Sequence, residues 1–127
     1  MVKIKVAFAS EENVGLEGSL SHHFGRCPYY VFVEVEDGKV KNVEVKENPY
    51  FTSYVSGDVP QFIASEGARV ILAEGMGPRA IDGFKKLNIQ PITGVTGKVR
   101  DVLNDYLAGN LRGAEPCDDR KGVSYKI

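Results

Sequence analysis

Both histidines of the chain and one of its two cysteines fall within six consecutive residues, His22-His23-Phe24-Gly25-Arg26-Cys27, just ahead of Pro28. Imidazole and thiolate are ligands for soft and borderline metals and for iron–sulfur species, and Gly25 lets the segment bend so that His23 and Cys27 can face a common point. Adjacent side chains diverge, which makes His22 the weaker companion of His23. One short segment supplies too few donors for a closed tetrahedral zinc site. The pattern therefore points to an open or shared metal site, with His23, Cys27 and His22 as candidate ligands and Arg26 as a cation for an anionic cargo. A blander reading stays open beside it: His22 solvated, His23 bonded to a backbone carbonyl, and Cys27 a small buried side chain before a turn proline.

Two glycine turns form the second group of candidates. Gly75-Met76-Gly77-Pro78-Arg79 follows an apolar run and opens a helical pattern, as a dinucleotide fingerprint would. That fingerprint also needs an acidic residue at the end of the next strand, and Ile92-Thr93-Gly94-Val95 has none. What remains is either a tight strand-to-helix turn or anion capture by amides at a helix N-terminus, helped by Arg79. In Thr93-Gly94-Val95-Thr96-Gly97-Lys98 a similar turn recurs, and there Lys98 and Arg100 oppose the dipole of their own helix unless an anion lies nearby. Gly75, Gly77, Arg79, Gly94 and Lys98 are thus candidate cofactor-binding residues at the carboxyl ends of neighbouring parallel strands, where α/β sheets bind ligands. Glu11, Glu12 and Glu74 could pair around magnesium, but the first strand carries no acidic residue to complete such a site.

The elements that would position these groups follow from the hydrophobic pattern. Val2 to Ser10 alternates and then turns continuously apolar, as a central strand does. Glu11 to Pro28 reads as one long loop with few anchors. Tyr29–Glu36 and Lys39–Lys46 form a hairpin through Asp37-Gly38, a dipeptide suited to positive φ. After a loop at 48–57, Asp58 begins a helix that stops near Gly67. Arg69–Glu74 and Ile89–Val95 are strands, separated by a helix from Pro78 to Leu87. Thr96 is the expected cap of a last helix bearing Val99, Val102, Leu103, Tyr106 and Leu107, which Gly109 ends. An antiparallel meander followed by βαβ units gives an α/β fold with a five-stranded mixed sheet and three helices.

The chain has 127 residues, 43% hydrophobic and 26% charged. That length and composition describe one globular domain, expected over 1–112, with a tail over 113–127 that has room for a short strand at Val123–Ile127. Sixteen Lys and Arg against seventeen Asp and Glu leave a formal charge of -1, without the basic footprint of a nucleic-acid binder. No apolar run approaches the length of a membrane span, and the strand-like start lacks a secretory pattern, so a cytoplasmic protein without membrane contact is expected. Cys27 and Cys117 then read as thiols or ligands rather than a disulfide.

The segments SHHFGRCPYYVFVEVEDGKV, VPQFIASEGARVILAEGMGPRAIDGFKKLNI and TGKVRDVLNDYLAGNL resemble, in this order, the dinitrogenase iron–molybdenum cofactor biosynthesis family of NifX-like domains and the C-terminal part of NifB. The similarity spans roughly residues 2–112, with HFGR and GMGPRAI as its most specific signatures. The resemblance implies a ribonuclease H-like fold without nuclease activity, a non-enzymatic accessory protein that holds an iron–sulfur or iron–molybdenum-type cluster, and a protein that donates or accepts it. It matches His23 to the family's HFG histidine, Cys27 to a cysteine present in part of the family, and Gly75 and Gly77 to its glycine loop. Where many members carry a His-Gly pair before the first helix, this chain has Ser56-Gly57. An anion- or nucleotide-binding regulatory module working through the glycine turns alone is the alternative.

Overall fold

Residues 3–21, 27–49 and 58–109 are described by the computed structural model. The expectations for His22, His23, Arg26, the 50–57 loop, Cys117 and the tail lie outside the described residues. Strand β1 (Lys3–Ser10) occupies the middle of the sheet, between β2 (Tyr29–Glu36) on one side and β4 (Val70–Leu72) on the other. Beyond them lie β3 (Lys39–Glu47) and β5 (Gln90–Ile92), giving the order β3-β2-β1-β4-β5. The β1–β2 and β2–β3 pairs are antiparallel, and β1–β4 and β4–β5 parallel. With helices α1 (Asp58–Ser65), α2 (Pro78–Lys86) and α3 (Val99–Leu107), this is the expected five-stranded mixed sheet with three helices, in the ribonuclease H-like arrangement.

Alternation sorts the strands' side chains into two cores. Ala7, Ala9, Tyr30, Phe32 and Ile71 face α1 and α2, where they meet Val59, Ile63, Ile81 and Phe84. The small alanines let the helices lie close to the sheet. Val6, Phe8, Val31, Val33 and Leu72 face the other way, against Leu20 and the Val99, Val102 and Leu103 stripe of α3. Gly83 makes the contact between the first two helices tight, because a Cβ there would stand 3.3 Å from the Pro60 ring.

The hairpin turn has the conformation its sequence demands, with φ of 53° at Asp37 and 81° at Gly38, the region that suits a two-residue connection. Outer strand β3 is mostly exposed and alternates Lys and Glu with Val, which discourages edge-to-edge pairing. At the opposite edge Pro91 sits within β5, a position that tolerates a missing amide.

Three expectations need correction. Thr96 does not cap α3; the helix starts two residues later, with Lys98 at the N-cap and no side-chain capping bond. The reason is long-range. The Gly97 carbonyl accepts from the Leu20 amide at 2.9 Å, and the Val99 amide donates to the Gly18 carbonyl at 2.8 Å, so the backbone around Lys98 is held in a bridge to Ser19 before it can coil. The same bonds show that the stretch after β1 is well anchored. It forms a 3-10 turn at Gly15–Glu17 and returns to β1, where the Glu11 amide donates to Ser19 O and the Ser21 amide to Ala9 O, both at 2.9 Å. The parallel strands are also shorter than the apolar runs around them, since ladder pairing covers only Val70–Leu72 and Gln90–Ile92.

Phe84 of α2 is fully buried in the core between that helix and the sheet. Truncating it to Ala should lower unfolding free energy by about 3–5 kcal/mol, the usual cost of deleting a buried aromatic. Denaturant unfolding followed by circular dichroism measures this, and a change near zero would place Phe84 outside the core.

Candidate functional site

Three chain segments reach the same edge of the sheet because the register aligns the strand ends. Ser10 lies opposite Tyr29, Phe8 opposite Leu72, and Leu72 opposite Ile92. Ser21 and Cys27, the described residues on either side of the histidines, therefore lie by the end of β1 and the start of β2, at the edge from which the turns after β4 and β5 leave. From β4 the chain crosses to α2 on one face, and from β5 to α3 on the other. Diverging connections of this kind open a crevice at the carboxyl ends of parallel strands.

Both ends of the 22–26 segment are fixed in the body. Ser21 is buried and its amide holds Ala9 O. At the other end Cys27 has no exposed surface. Its carbonyl accepts from Asn48 Nδ2 at 2.8 Å, and the Asn48 amide donates to Pro28 O at 2.9 Å. Asn48, itself buried, thus clips the start of β2 to the end of β3. No simple sequence signal marks it, since an Asn before a Pro reads as an ordinary turn residue.

The Cys27 thiol lies in the α1–α2 core and donates to the Tyr29 carbonyl at 3.3 Å. Burial pushes its pKa up to about 12, and the nearby Glu11 charge adds to the rise against opposing hydrogen bonds from the Tyr30 side chain and the backbone. In this conformation the side chain is a protonated, enclosed thiol, and a substitution at Cys27 acts on the core as well as on any ligand.

The glycine turns differ from each other. Gly77 is the N-cap of α2 with φ -71° and ψ 162°, and a Cβ added there meets nothing within 4 Å. Its surroundings and conformation accept a side chain, so neither strain nor crowding requires glycine. Pro78 needs no amide partner at N1, Arg79 is exposed, and Ile81 already donates to Gly77 O. Gly94 has φ +83°, where glycine is favoured, and its amide donates to Glu74 O at 3.0 Å. That bond ties one glycine turn to the other through the carbonyl next to Gly75. It also commits the Gly94 amide within the protein.

Lys98 and Arg100 do have the anion that their position called for. Glu17, from the 3-10 turn, reaches Lys98 Nζ with Oε1 at 3.3 Å and Arg100 through Oε2. All three side chains are about half exposed, so the cluster contributes little to stability. It does supply an internal anion near the start of α3. Among the described residues no three His, Cys, Asp or Glu side chains gather closely enough to hold a metal ion. No described helix is long and apolar enough to cross a membrane.

Residues 2–109 match the family model described as dinitrogenase iron-molybdenum cofactor. The chain belongs to this family. Within the dinitrogenase iron-molybdenum cofactor family it is similar to an uncharacterized protein of Methanocaldococcus jannaschii, 32% identical over 114 residues that cover 88% of this chain and 92% of the relative. Its fold is similar to the crystal structure of PH0822, at 41% identity with a TM-score of 0.78 over 87% of this chain and 96% of that one. It is also similar to the apo form of the orange protein from Desulfovibrio gigas, at 26% identity and a TM-score of 0.79 over 88% and 93% of the two chains.

Cys27 leads to a test in a Cys117→Ser background, where it is the remaining thiol. The folded protein should resist iodoacetamide at pH 8 and react fully once unfolded, because the thiolate is the nucleophile. Stability should also fall between pH 9 and about 12, the thiol's ordinary and folded values. Over that range the unfolded chain loses this proton while the folded one keeps it, so rising pH favours unfolding. Rapid native labelling at pH 8 would contradict the enclosed thiol.

Proposed function

We propose that this protein is a non-enzymatic carrier that holds an iron–sulfur or iron–molybdenum-type cluster as cargo at the carboxyl edge of its sheet and exchanges it with a partner protein. The observation that carries this reading is the convergence of three segments on one edge. These are the histidine segment pinned at Ser21 and Cys27, the Gly75–Gly77 turn, and the Gly94–Lys98 turn. Family membership supports metallocluster association. The similar orange protein has an apo form, the term for a protein without its ligand, and a carrier passes through such a state.

In this reading His23 is the first ligand, with His22 able to substitute for it. Cys27 joins only when its thiol leaves the Tyr29 carbonyl and loses its proton. A cluster with net negative charge is favoured by Arg26, by Arg79 at the start of α2, and by Lys98 after it exchanges Glu17 for the cargo. Gly75 and Gly77 let the cargo approach the backbone. The described residues contribute cations, amides and a single thiol, so imidazole ligation rests on the 22–26 segment. A module binding nucleotides through the glycine turns alone is less well supported, because the Gly94 amide and the Lys98 ammonium already have internal partners.

The test is anaerobic incubation of the full chain with iron and sulfide, with and without molybdate, followed by metal analysis and absorption spectra. A brown protein with stoichiometric iron and sulfide is expected, and His23→Ala should take up far less while its unfolding free energy stays within about 1 kcal/mol of the parent. Because Cys27 is enclosed, Cys27→Ala is the milder probe there, and its uptake is compared at equal folded fraction. Gly77→Val should fold normally, given its open surroundings, and should lose uptake more than Gly77→Ala does. A colourless protein in every arm, or full uptake by the His23 variant, would reject the carrier reading.

A further inference from the structure

At the opposite edge of the sheet, away from the three converging segments, lies an open hollow of about 320 Å³ lined by Lys3, Ile4, Lys5, Glu34, Gly67 and Arg69. Its charge is unlike that of the whole chain. Three cations and one carboxylate give it a local net charge of +2, in a protein whose formal charge is -1. The fold brings these cations together from separate segments, since Lys3 and Lys5 come from β1 and Arg69 from the connection between α1 and β4. The Arg69 backbone fixes that meeting, because its amide donates to Lys5 O and its carbonyl accepts from the Gln90 amide, both at 2.9 Å.

Each lining group leaves the hollow open to a ligand. Lys5 Nζ donates to Glu66 O at 2.8 Å, so its ammonium offsets the negative carbonyl end of α1 that would otherwise repel an anion. The Glu66 carboxylate is turned to Lys46 at 2.9 Å and does not neutralise Lys5. Gly67, at φ +87°, has nothing within 4 Å of where a Cβ would stand, so this rim presents bare backbone. The side chains of Lys3 and Arg69 make no hydrogen bond or ion pair among the described residues. Arg69 offers a planar fork that fits two oxygens of one oxyanion, which an ammonium cannot do.

We propose that this hollow is an anion site, separate from the cluster edge, that takes a small doubly charged oxyanion of the phosphate class, with Arg69 as its fork, Lys3 and Lys5 as flanking charges and Glu34 as the group that limits affinity. Three converging cations suit such a dianion better than a single carboxylate, with Glu34 and, opposite Lys3 in the ladder, Glu36 as the acidic neighbours. The ligand is free phosphate or the phosphate group of a small phosphorylated molecule.

The full chain is titrated with inorganic phosphate, and in a second arm with a nucleoside monophosphate, at constant ionic strength while backbone amide shifts are followed by NMR. Saturable shifts are expected at Lys5, Gly67 and Arg69, with a dissociation constant of about 1 mM or below. Arg69→Gln should weaken binding about tenfold through loss of a charge-assisted pair. Glu34→Gln should tighten it, an opposite sign that general loss of structure cannot produce. Equal affinity in the two arms identifies free phosphate as sufficient, and tighter binding of the monophosphate identifies a phosphorylated molecule; either supports the site. Shifts that never saturate, that spread over the surface, or that ignore both substitutions overturn it. Cluster uptake is read by colour and iron content, so failure here leaves that measurement unaffected.

Discussion

The carboxyl end of β1 supports the chain at three successive points, and the site edge depends on it. Ala9 O receives the Ser21 amide, Ser10 bridges Leu20, and Ser10 also lies opposite Tyr29 as β2 begins. Both ends of the histidine-bearing segment are therefore set by two residues of one strand. Close approach makes this possible. Gly18 passes so near the strand that a Cβ there would stand 2.7 Å from Ser10 Oγ, and Ser10 Oγ in turn donates to Glu12 O at 2.9 Å. A bulkier chain would lift the loop from β1 and break the bridge that positions the start of α3.

Charge is arranged in a complementary way at the two ends of the sheet. At the carboxyl edge the cations Lys98 and Arg100 are met by Glu17, carried on the same loop that β1 anchors. At the other edge Lys5 bonds the Glu66 carbonyl after α1 and, with Lys3 and Arg69, lines an open hollow. A chain with nearly equal numbers of acids and bases can thus offer cationic surface in two places without a basic overall composition. The first place is held by an internal anion that a ligand would have to displace, and at the second Glu34 lines the hollow while Glu36 stands opposite Lys3 in the ladder. Exposed ion pairs contribute little energy, which is what exchange at the first place would require.

Much of this was legible in the sequence where the governing interactions are local. Asp37-Gly38 specifies a tight turn through backbone conformation alone, and Pro78 with Ile81 and Phe84 specifies α2 through helical spacing. The mixed five-stranded sheet followed from a hairpin succeeded by strand–helix–strand units. Thr96 misled because capping preference is local, whereas the backbone at 97–99 is committed to Gly18 and Leu20, far away in sequence. The long loop after β1 looked unanchored for the same reason: its partners are main-chain groups, which sequence cannot distinguish. Lys98 and Arg100 were different, since their unfavourable place on a helix dipole signalled a missing anion without naming Glu17. Cys27 stands out in the sequence as chemically interesting, but its burial is a product of the assembled core rather than of its neighbours in sequence.

That burial bears directly on how a carrier would work. A carrier must release what it holds, so a ligand set of maximal affinity is a disadvantage. On the proposed reading His23 is one ligand, whereas Cys27 can join only by giving up its enclosure, its bond to Tyr29 and a proton held up to a pKa of about 12. Thiolate ligation then opposes the same desolvation that stabilises the neutral thiol, and cluster affinity is reduced by that difference. Any binding through Cys27 releases a proton, so acid favours return of the thiol to the core and departure of the cluster. Burial of one cysteine can in this way set the strength of a site in which it is only one of the ligands.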